Sequence, residues 1–401
     1  MLYSWCLGNV PEPFLNASIT KPTNNDDDDG REFEKLSFSR AYTLALSPQI
    51  IYSRSKLLTQ LVSSKVYRQL EFQAVGNWWI YEGAAGINET ESGGVGRLKR
   101  IPNGREDVFS DNSIDVRAKR NLMKFLKFVV DYKNHTEVWQ SHSEESLPVF
   151  LSTIFSFPPP LQIIIFALTL SLKSPAETTV RYSLPRIARH LTSMGVFGPG
   201  FAAVIPKWGG SSEIAQVACR AGAVGGGVYI LGTGVRVSSS VAFAGEHSAA
   251  WRNHVYRREP RDDPARDPAL DNPLSIPNQA AFPHPHLQIT LTNDEVIRTK
   301  ALIESRDSEP ELEGAHLNNV SKMIAVVSLD LASLFTTTVE GGTTAAVSVV
   351  AFPSNSIKVD NQVQPHPVYI MVHSSDTGEC PIGQCESESI SSSSSIHDDP
   401  L

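Results

Sequence analysis

Four cysteines in 401 residues, Cys6, Cys219, Cys380 and Cys385, are too few and too scattered for a disulfide framework. A reducing, cytoplasmic compartment is the natural reading. Cys380 and Cys385 lack the two-residue gap of a zinc knuckle and have no second pair, and His284 and His286 have no third ligand nearby, so no metal site is expected. Long hydrophobic runs are also missing. The most apolar stretch, 161–172, has twelve residues where a bilayer-spanning helix needs roughly 20. The opening residues, MLYSWCLGNVPEPF, show no basic region followed by an apolar core, which excludes a signal peptide. Positive charge is in short supply as well: 35 Lys and Arg against 43 Asp and Glu leave a net −8, with no basic face to neutralise phosphates. No nucleic-acid partner is expected.

Catalytic signatures are equally scarce. A flavin or nicotinamide pyrophosphate needs G-x-G-x-x-G at a strand-to-helix turn, where backbone amides can approach it. Gly94-Val95-Gly96 is followed by Lys99 where the third glycine belongs, and Gly232-Thr233-Gly234 by Val237. No Gly-Lys-Ser/Thr of a P-loop and no G-x-S-x-G elbow occurs. Glu144 and Glu145 sit in SHSEES, a polar lead-in to a helix. Neither a catalytic residue nor a cofactor is expected, and the chain reads as a binding protein.

What the sequence does have is WGGSSEIAQVACRAGAVGGGVYILGTG, residues 208–234. Read as a helix over 212–224, it places Glu213, Gln216 and Arg220 at i, i+3 and i+7 in one polar stripe, beside an apolar stripe of Ile214, Val217, Ala218 and Ala221. Gly225, Gly226 and Gly227 then let the backbone turn or approach closely, and 228–231 reads as a short buried strand. From spacing alone, Glu213 and Arg220 could equally serve a local salt-bridge network.

The spacing of Glu213, Gln216, Arg220, the glycine run and Tyr229 resembles the signature of the family of Rab GDP-dissociation inhibitors and Rab escort proteins. Five residue types agree over seventeen positions without a gap; Gly225 departs, standing where the family usually has an aromatic residue. The resemblance implies a platform that grips a Rab GTPase, with Glu213, Gln216 and Arg220 as polar contacts and Tyr229 and Ile230 beside them.

The rest of the chain divides by composition. Residues 1–36, with the Asp26 to Asp29 run, read as a mobile leader. A sheet domain starts over 37–112, where Ser47 and Pro48 are placed to open a helix and 66–72 and 78–81 read as strands. A helical subdomain follows over 113–197: one helix capped by Asn112 or Ser113, two separated by Pro158 to Pro160, and one over 183–194. The sheet resumes over 198–244, with β-branched runs from Val235 to Phe243. The Pro-, Arg- and Asp-rich stretch 245–285 reads as an insertion without fixed fold. Strands over 287–292, 300–304, 321–329, 343–352 and 368–373 complete the sheet domain through 385. The Ser-rich, acidic stretch 386–401 reads as an unstructured tail.

The resulting class is mixed α/β. The resemblance implies a sheet domain like that of flavin monooxygenases and a small all-helical second domain. The family's opening dinucleotide-fold-like unit finds no match before Ser37, so a truncated, fungal-type member is expected. It further implies an isoprenoid pocket among the helices, for which Ile164, Phe166, Leu168 and Leu170 are the candidates; taken alone, these residues read as plain core. Phe150, in LPVFLSTIF, is the candidate contact for the prenyltransferase.

The implied function is that of an escort, the non-catalytic component A of Rab geranylgeranyltransferase. It would bind Rab in the GDP form, present it to the transferase heterodimer, shelter the geranylgeranyl lipid, and deliver the product through a transient membrane contact. The inserted loops, SHSEESLPVF and MVHSSDTGECP favour an escort over a GDP-dissociation inhibitor, the runner-up. A flavin-dependent oxidoreductase is the rival from another class, because the folds are alike.

Overall fold

The computed structural model describes residues 18–19, 36–46, 48–83, 96–241, 286–302, 320–328, 334–335, 337, 344–359 and 362–392. The expected insertion over 245–285 and almost all of the expected leader over 1–36 lie outside these residues. Two compact units emerge, Met1–Ala218 with Asn318–Leu401, and Cys219–Leu317.

The first unit opens with β1 (Ile51–Tyr52), α1 (Lys56–Ser63), β2 (Phe72–Glu82) and β3 (Arg97–Arg100). Helices α2 (Arg105–Ser110), α3 (Val116–Val130), α4 (Thr136–Trp139), α5 (Leu147–Phe155), α6 (Pro159–Ala167) and α7 (Val180–Ser193) follow. The chain then forms β4 (Ala203–Pro206) and enters α8 (Ser211–Val224).

Several boundaries differ from the sequence reading. The first helix does not open at Pro48: Ile51 pairs with Val204, which draws 51–52 into the sheet, and Ser55 caps α1 by accepting from the Leu58 amide. Residues 66–69 form a 3-10 turn after Lys65, whose φ of 61° breaks the extended run, so the strand begins only at Phe72. Asp115, not Asn112 or Ser113, caps α3 by accepting from the Arg117 amide at 2.9 Å. Pro159 and Pro160 occupy the first turn of α6, where no intrahelical donor is lost.

Strand β2 is the spine of the main sheet. Its first half pairs antiparallel with β4 and its second half with β3, while its other edge runs parallel to a late strand, β9 (Val347–Phe352). The order is β1-β4-β2-β9-β12-β13-β8, where β8 is Val320–Val327, β12 Val368–Ser374 and β13 Cys385–Ser392. Between them in sequence lies the small hairpin of β10 (Lys358–Val359) and β11 (Gln362–Val363).

Successive residues of a strand face opposite sides, so adjacent Trp78 and Trp79 serve two cores. Trp78 joins Val347, Val349 and Tyr369 under the helices, while Trp79 packs with Phe335, Val350, Val372 and Cys385 on the other face. The helices share that first core with the sheet. Phe125, Phe128, Phe150, Phe155 and Phe157 meet there with ring centroids 5.1 to 6.4 Å apart, mostly tilted or edge-to-face.

The expected unstructured tail needs correction over its first seven residues. Strand β13 is hydrogen-bonded on both sides, to β12 and to β8, and that double pairing makes a strand of CESESISS despite its composition.

In the second unit β5 (Val235–Val241), β6 (His286–Leu291) and β7 (Val296–Thr299) form an antiparallel sheet of their own. They do not continue the main sheet as expected, because β5 and β6 pair with each other over their full lengths. The turn at Asp294, with φ of 66°, closes β6 onto β7 over 296–299, not over 300–304.

Candidate functional site

Helix α8 is delivered by a loop that only unusual backbone geometry allows. Trp208, Gly209 and Gly210 all have positive φ (65°, 100° and 65°), a cost that a non-glycine such as Trp208 bears only when held in place. Its amide donates to the Thr377 carbonyl at 3.0 Å, and its ring lies so close to Gly378 that a Cβ there would sit 2.5 Å away. Lys207 Nζ is 4.5 Å from the centroid of the same ring. A cavity of about 600 Å³, lined in part by Gln73, Gly76, Phe201, Trp208 and Asp376, lies beside this loop.

The helix begins at Ser211, and Ser212 Oγ donates to the Gly209 carbonyl at 2.7 Å. Glu213 lies in the first turn, where a carboxylate complements the helix dipole. Only Ile214 and Val217 anchor α8 inward: Val217 is fully buried, and Ile214 packs against the cluster of Leu58, Leu61 and Val204. Ala218 and Ala221, expected in the apolar stripe, are exposed.

Glu213 is half-buried and Gln216 and Arg220 are exposed. Among the described residues none of the three makes a side-chain hydrogen bond or ion pair, so the local salt-bridge network is not formed. Glu213 and Gln216 belong to the first unit, and Arg220, Tyr229 and Ile230 to the second.

The glycine run closes α8 with a Schellman motif. The Gly227 amide donates to the Gly222 carbonyl at 2.8 Å and the Gly226 amide to the Ala223 carbonyl at 3.0 Å, with Gly226 at φ 88°. Tyr229 folds back over Gly222, whose missing Cβ would otherwise sit 2.1 Å from the phenol oxygen. Residues 228–231 are not the buried strand expected of them. Among the described residues of their unit they have no strand partner, and Val228 (86%), Tyr229 (52%), Ile230 (56%) and Leu231 (93%) stand open to solvent. Large apolar side chains left in water are the kind of surface that a partner can cover.

The candidate lipid-pocket residues are placed differently. Phe166 and Leu168 belong to the main core, while Ile164 and Leu170 are half-buried against it. The cavity beside Trp208 involves none of the four. Phe150 has no exposed surface, and the same helix presents Val149 and Ile154 to solvent instead.

A second cluster was invisible in the sequence. The β12–β13 register sets His373 directly opposite Glu386, and the intervening turn brings up Glu379, which bonds His373 Nδ1. Glu388 follows on the same face, 4.0 Å from Lys322 Nζ. Burial, with Glu379 and Glu388 adding repulsion, pushes Glu386 up to about 9, and burial pushes Glu388 up to about 7. Cys385 points to the opposite face. The Cys380 thiol donates to the Gln384 carbonyl, and burial pushes it up to about 12. Nothing in a linear spacing of six and then seven residues suggests such a cluster; only the hairpin register assembles it.

Comparison with known proteins places these observations. The model of a family described as GDP dissociation inhibitor matches residues 21–246. The chain is 36% identical over 193 residues to Rab proteins geranylgeranyltransferase component A of Saccharomyces cerevisiae, covering 48% of this chain and 30% of that protein. It is 27% identical over 394 residues to the protein of the same name from Candida albicans, covering 96% of this chain and 51% of the relative. The chain thus spans about half, or less, of the length of these curated relatives. Its fold is similar to the crystal structure of Rab GDI from Plasmodium falciparum, with a TM-score of 0.53 at 14% identity, over 89% of this chain and 69% of that one.

Proposed function

Because the chain belongs to the GDP dissociation inhibitor family, we propose that it acts as a Rab escort protein. In this reading it binds Rab GTPases in the GDP form, presents them to the Rab geranylgeranyltransferase heterodimer, and carries the lipidated product to membranes. The reaction's chemistry belongs to the transferase, and this chain contributes binding.

One observation carries the reading. The matched region contains α8, whose Glu213, Gln216 and Arg220 are without side-chain partners among the described residues and lead into solvent-exposed Tyr229 and Ile230. A guanidinium and a carboxylate without internal partners can form charge-assisted hydrogen bonds to a docked protein, and an exposed tyrosine offers large contact area at small entropic cost. The Schellman cap holds the tyrosine over Gly222 before any partner arrives, which lowers the ordering cost of binding.

Two further contacts belong to the same proposal. The isoprenoid would enter the helical layer at half-buried Ile164 and Leu170, displacing their packing against the core that holds Phe166 and Leu168, and gain mainly from area removed from water. The transferase would meet α5 through Val149 and Ile154, with buried Phe150 fixing the helix beneath them. No helix among the described residues is long and apolar enough to cross a membrane, which suits a cytoplasmic carrier with transient membrane contact.

The names of the relatives, component A, favour an escort. The structural neighbour, a Rab GDI, supports the second reading, in which prenylated Rab is bound without sustaining prenylation. Calorimetric titration of GDP-loaded Rab into the chain, and into its Arg220→Ala and Glu213→Ala variants, tests the platform. Saturable binding that weakens tenfold or more in the variants is expected. Equal affinity in all three would overturn the platform.

A further inference from the structure

Three carboxylates and an imidazole packed into the sheet's helix-covered face form an uncommon core, because each ionised group there has lost water. His373 and Glu379 are each 1% exposed, Glu386 is fully buried and Glu388 is 3% exposed. One ligand atom from each of His373, Glu379 and Glu386 lies within 4.8 Å of the others. Donors and acceptors of these residues are left over beside the His373 Nδ1–Glu379 bond: among the described residues His373 Nε2, Glu379 Oε1 and both carboxylate oxygens of Glu386 have no hydrogen-bond partner. Buried polar atoms are normally satisfied, and each exception calls for a cause.

We propose that His373, Glu379 and Glu386 form a binding site for a divalent transition-metal ion of the zinc type, with Glu388 beside it.

The donor set fits that class. One imidazole nitrogen and carboxylate oxygens suit zinc, with bonds of about 2.0 to 2.2 Å that small side-chain adjustments reach from a 4.8 Å spread. Magnesium, which keeps several waters, does not suit a closed pocket. Among the described residues no thiol joins the set: Cys385 lies on the other face, and the Cys380 thiol donates to the Gln384 carbonyl. Charge agrees as well. The cation paired with the cluster among the described residues is Lys322, which also donates to the Leu46 carbonyl. Lys322 and one divalent ion together balance the three carboxylates.

The ligands bracket a single hairpin, with His373 next to the end of β12, Glu386 second in β13 and Glu379 in the turn between them. The Glu379 carbonyl accepts from the Thr43 amide, and the Thr377 carbonyl of the same turn holds the Trp208 amide. An ion here would clasp β13 to the sheet and stiffen the turn against which the α8 loop rests. It would load as the hairpin folds, since a closed site has no later entry path.

The test uses the whole chain, expressed with zinc supplied and again in zinc-depleted medium. Elemental analysis of the purified protein is expected to find about one zinc per chain. Protein refolded with Co(II) should show the intense visible d–d absorption of a low-symmetry site. His373→Gln and Glu386→Gln, checked for folding by circular dichroism, should bind zinc at least tenfold more weakly. Absence of bound zinc, of the Co(II) band and of any shift in Tm on refolding with zinc would overturn the proposal and leave the cluster held by protons on its carboxylates. The Co(II) spectrum of the parent chain decides the matter even if both variants fail to fold.

Discussion

Glu213, Gln216 and Arg220 contribute little to folding, because solvent serves them as well as any neighbour in the chain does. Their alanine variants are expected to unfold within about 0.5 kcal/mol of the parent in urea while the proposed partner binding falls. A variant that lost several kcal/mol would place the residue in the fold and not in the platform. His190 is the opposite case, a polar group enclosed by the core. Its ring lies edge-on to Trp78 at 4.7 Å and to Tyr52 at 5.9 Å, Nδ1 has no partner among the described residues, and burial holds its pKa at about 4 against an ordinary 6.5. Above pH 6.5 both folded and unfolded imidazoles are neutral, and the shift has no effect. As pH falls from 6.5 toward 4 only the unfolded state takes the proton, so stability is lost, by about 2 kcal/mol at pH 5. Denaturant titrations at pH 7 and pH 5 should show that His190→Gln removes this part of the pH dependence, and an unchanged pH difference would contradict it. Neither behaviour is legible in the sequence. A histidine in RIARHLTSM reads as another polar residue of a helix until Trp78 and Tyr52 close over it.

Helix α8 is legible in the sequence because periodicity and glycine punctuation agree: Ile214 and Val217 recur at helical spacing, and Gly226 supplies the left-handed residue that a Schellman cap needs. Its two end glycines make separable predictions. Gly226 has open space where a Cβ would stand and φ of 88°, so Gly226→Ala costs backbone strain alone, about 1 kcal/mol. Gly222→Ala instead collides with the Tyr229 hydroxyl, the far end of a side chain that can swing away. It should leave Tm nearly unchanged and weaken Rab binding, as seen by calorimetry; unchanged binding would remove Tyr229 from the platform. Strand β13 shows where element-level reading fails. CESESISS has the composition of a tail, and only hydrogen bonds from β12 and β8 on its two edges impose the alternation that buries Glu386 and Glu388. Residues 228–231 fail in the reverse sense. Their apolar composition suggests burial, but among the described residues of their unit no strand pairs with them.

At the scale of the whole molecule, class was more legible than topology. Alternating helix- and strand-period segments, together with the resemblance carried by 208–234, pointed to a mixed α/β protein, and the sheet of β2 flanked by β4 and β9 under a layer of helices agrees. The order β1-β4-β2-β9-β12-β13-β8 joins segments as far apart as Val75 and Val347, and no local pattern encodes it. The same holds for β5, whose partner β6 lies across a long intervening stretch of the second unit. Membership of the GDP dissociation inhibitor family is carried by residues 21–246, a span that includes α8, and the proposed platform is built on the exposed side chains of that helix and the residues after its cap. The most direct test of the escort role is label transfer from geranylgeranyl diphosphate to recombinant GDP-loaded Rab by the transferase heterodimer, with this chain, with its Arg220→Ala variant, and without either. Transfer that requires the chain and falls at least tenfold in the variant is the predicted result. No transfer above the chain-free control, from protein that shows a cooperative thermal transition, would contradict it.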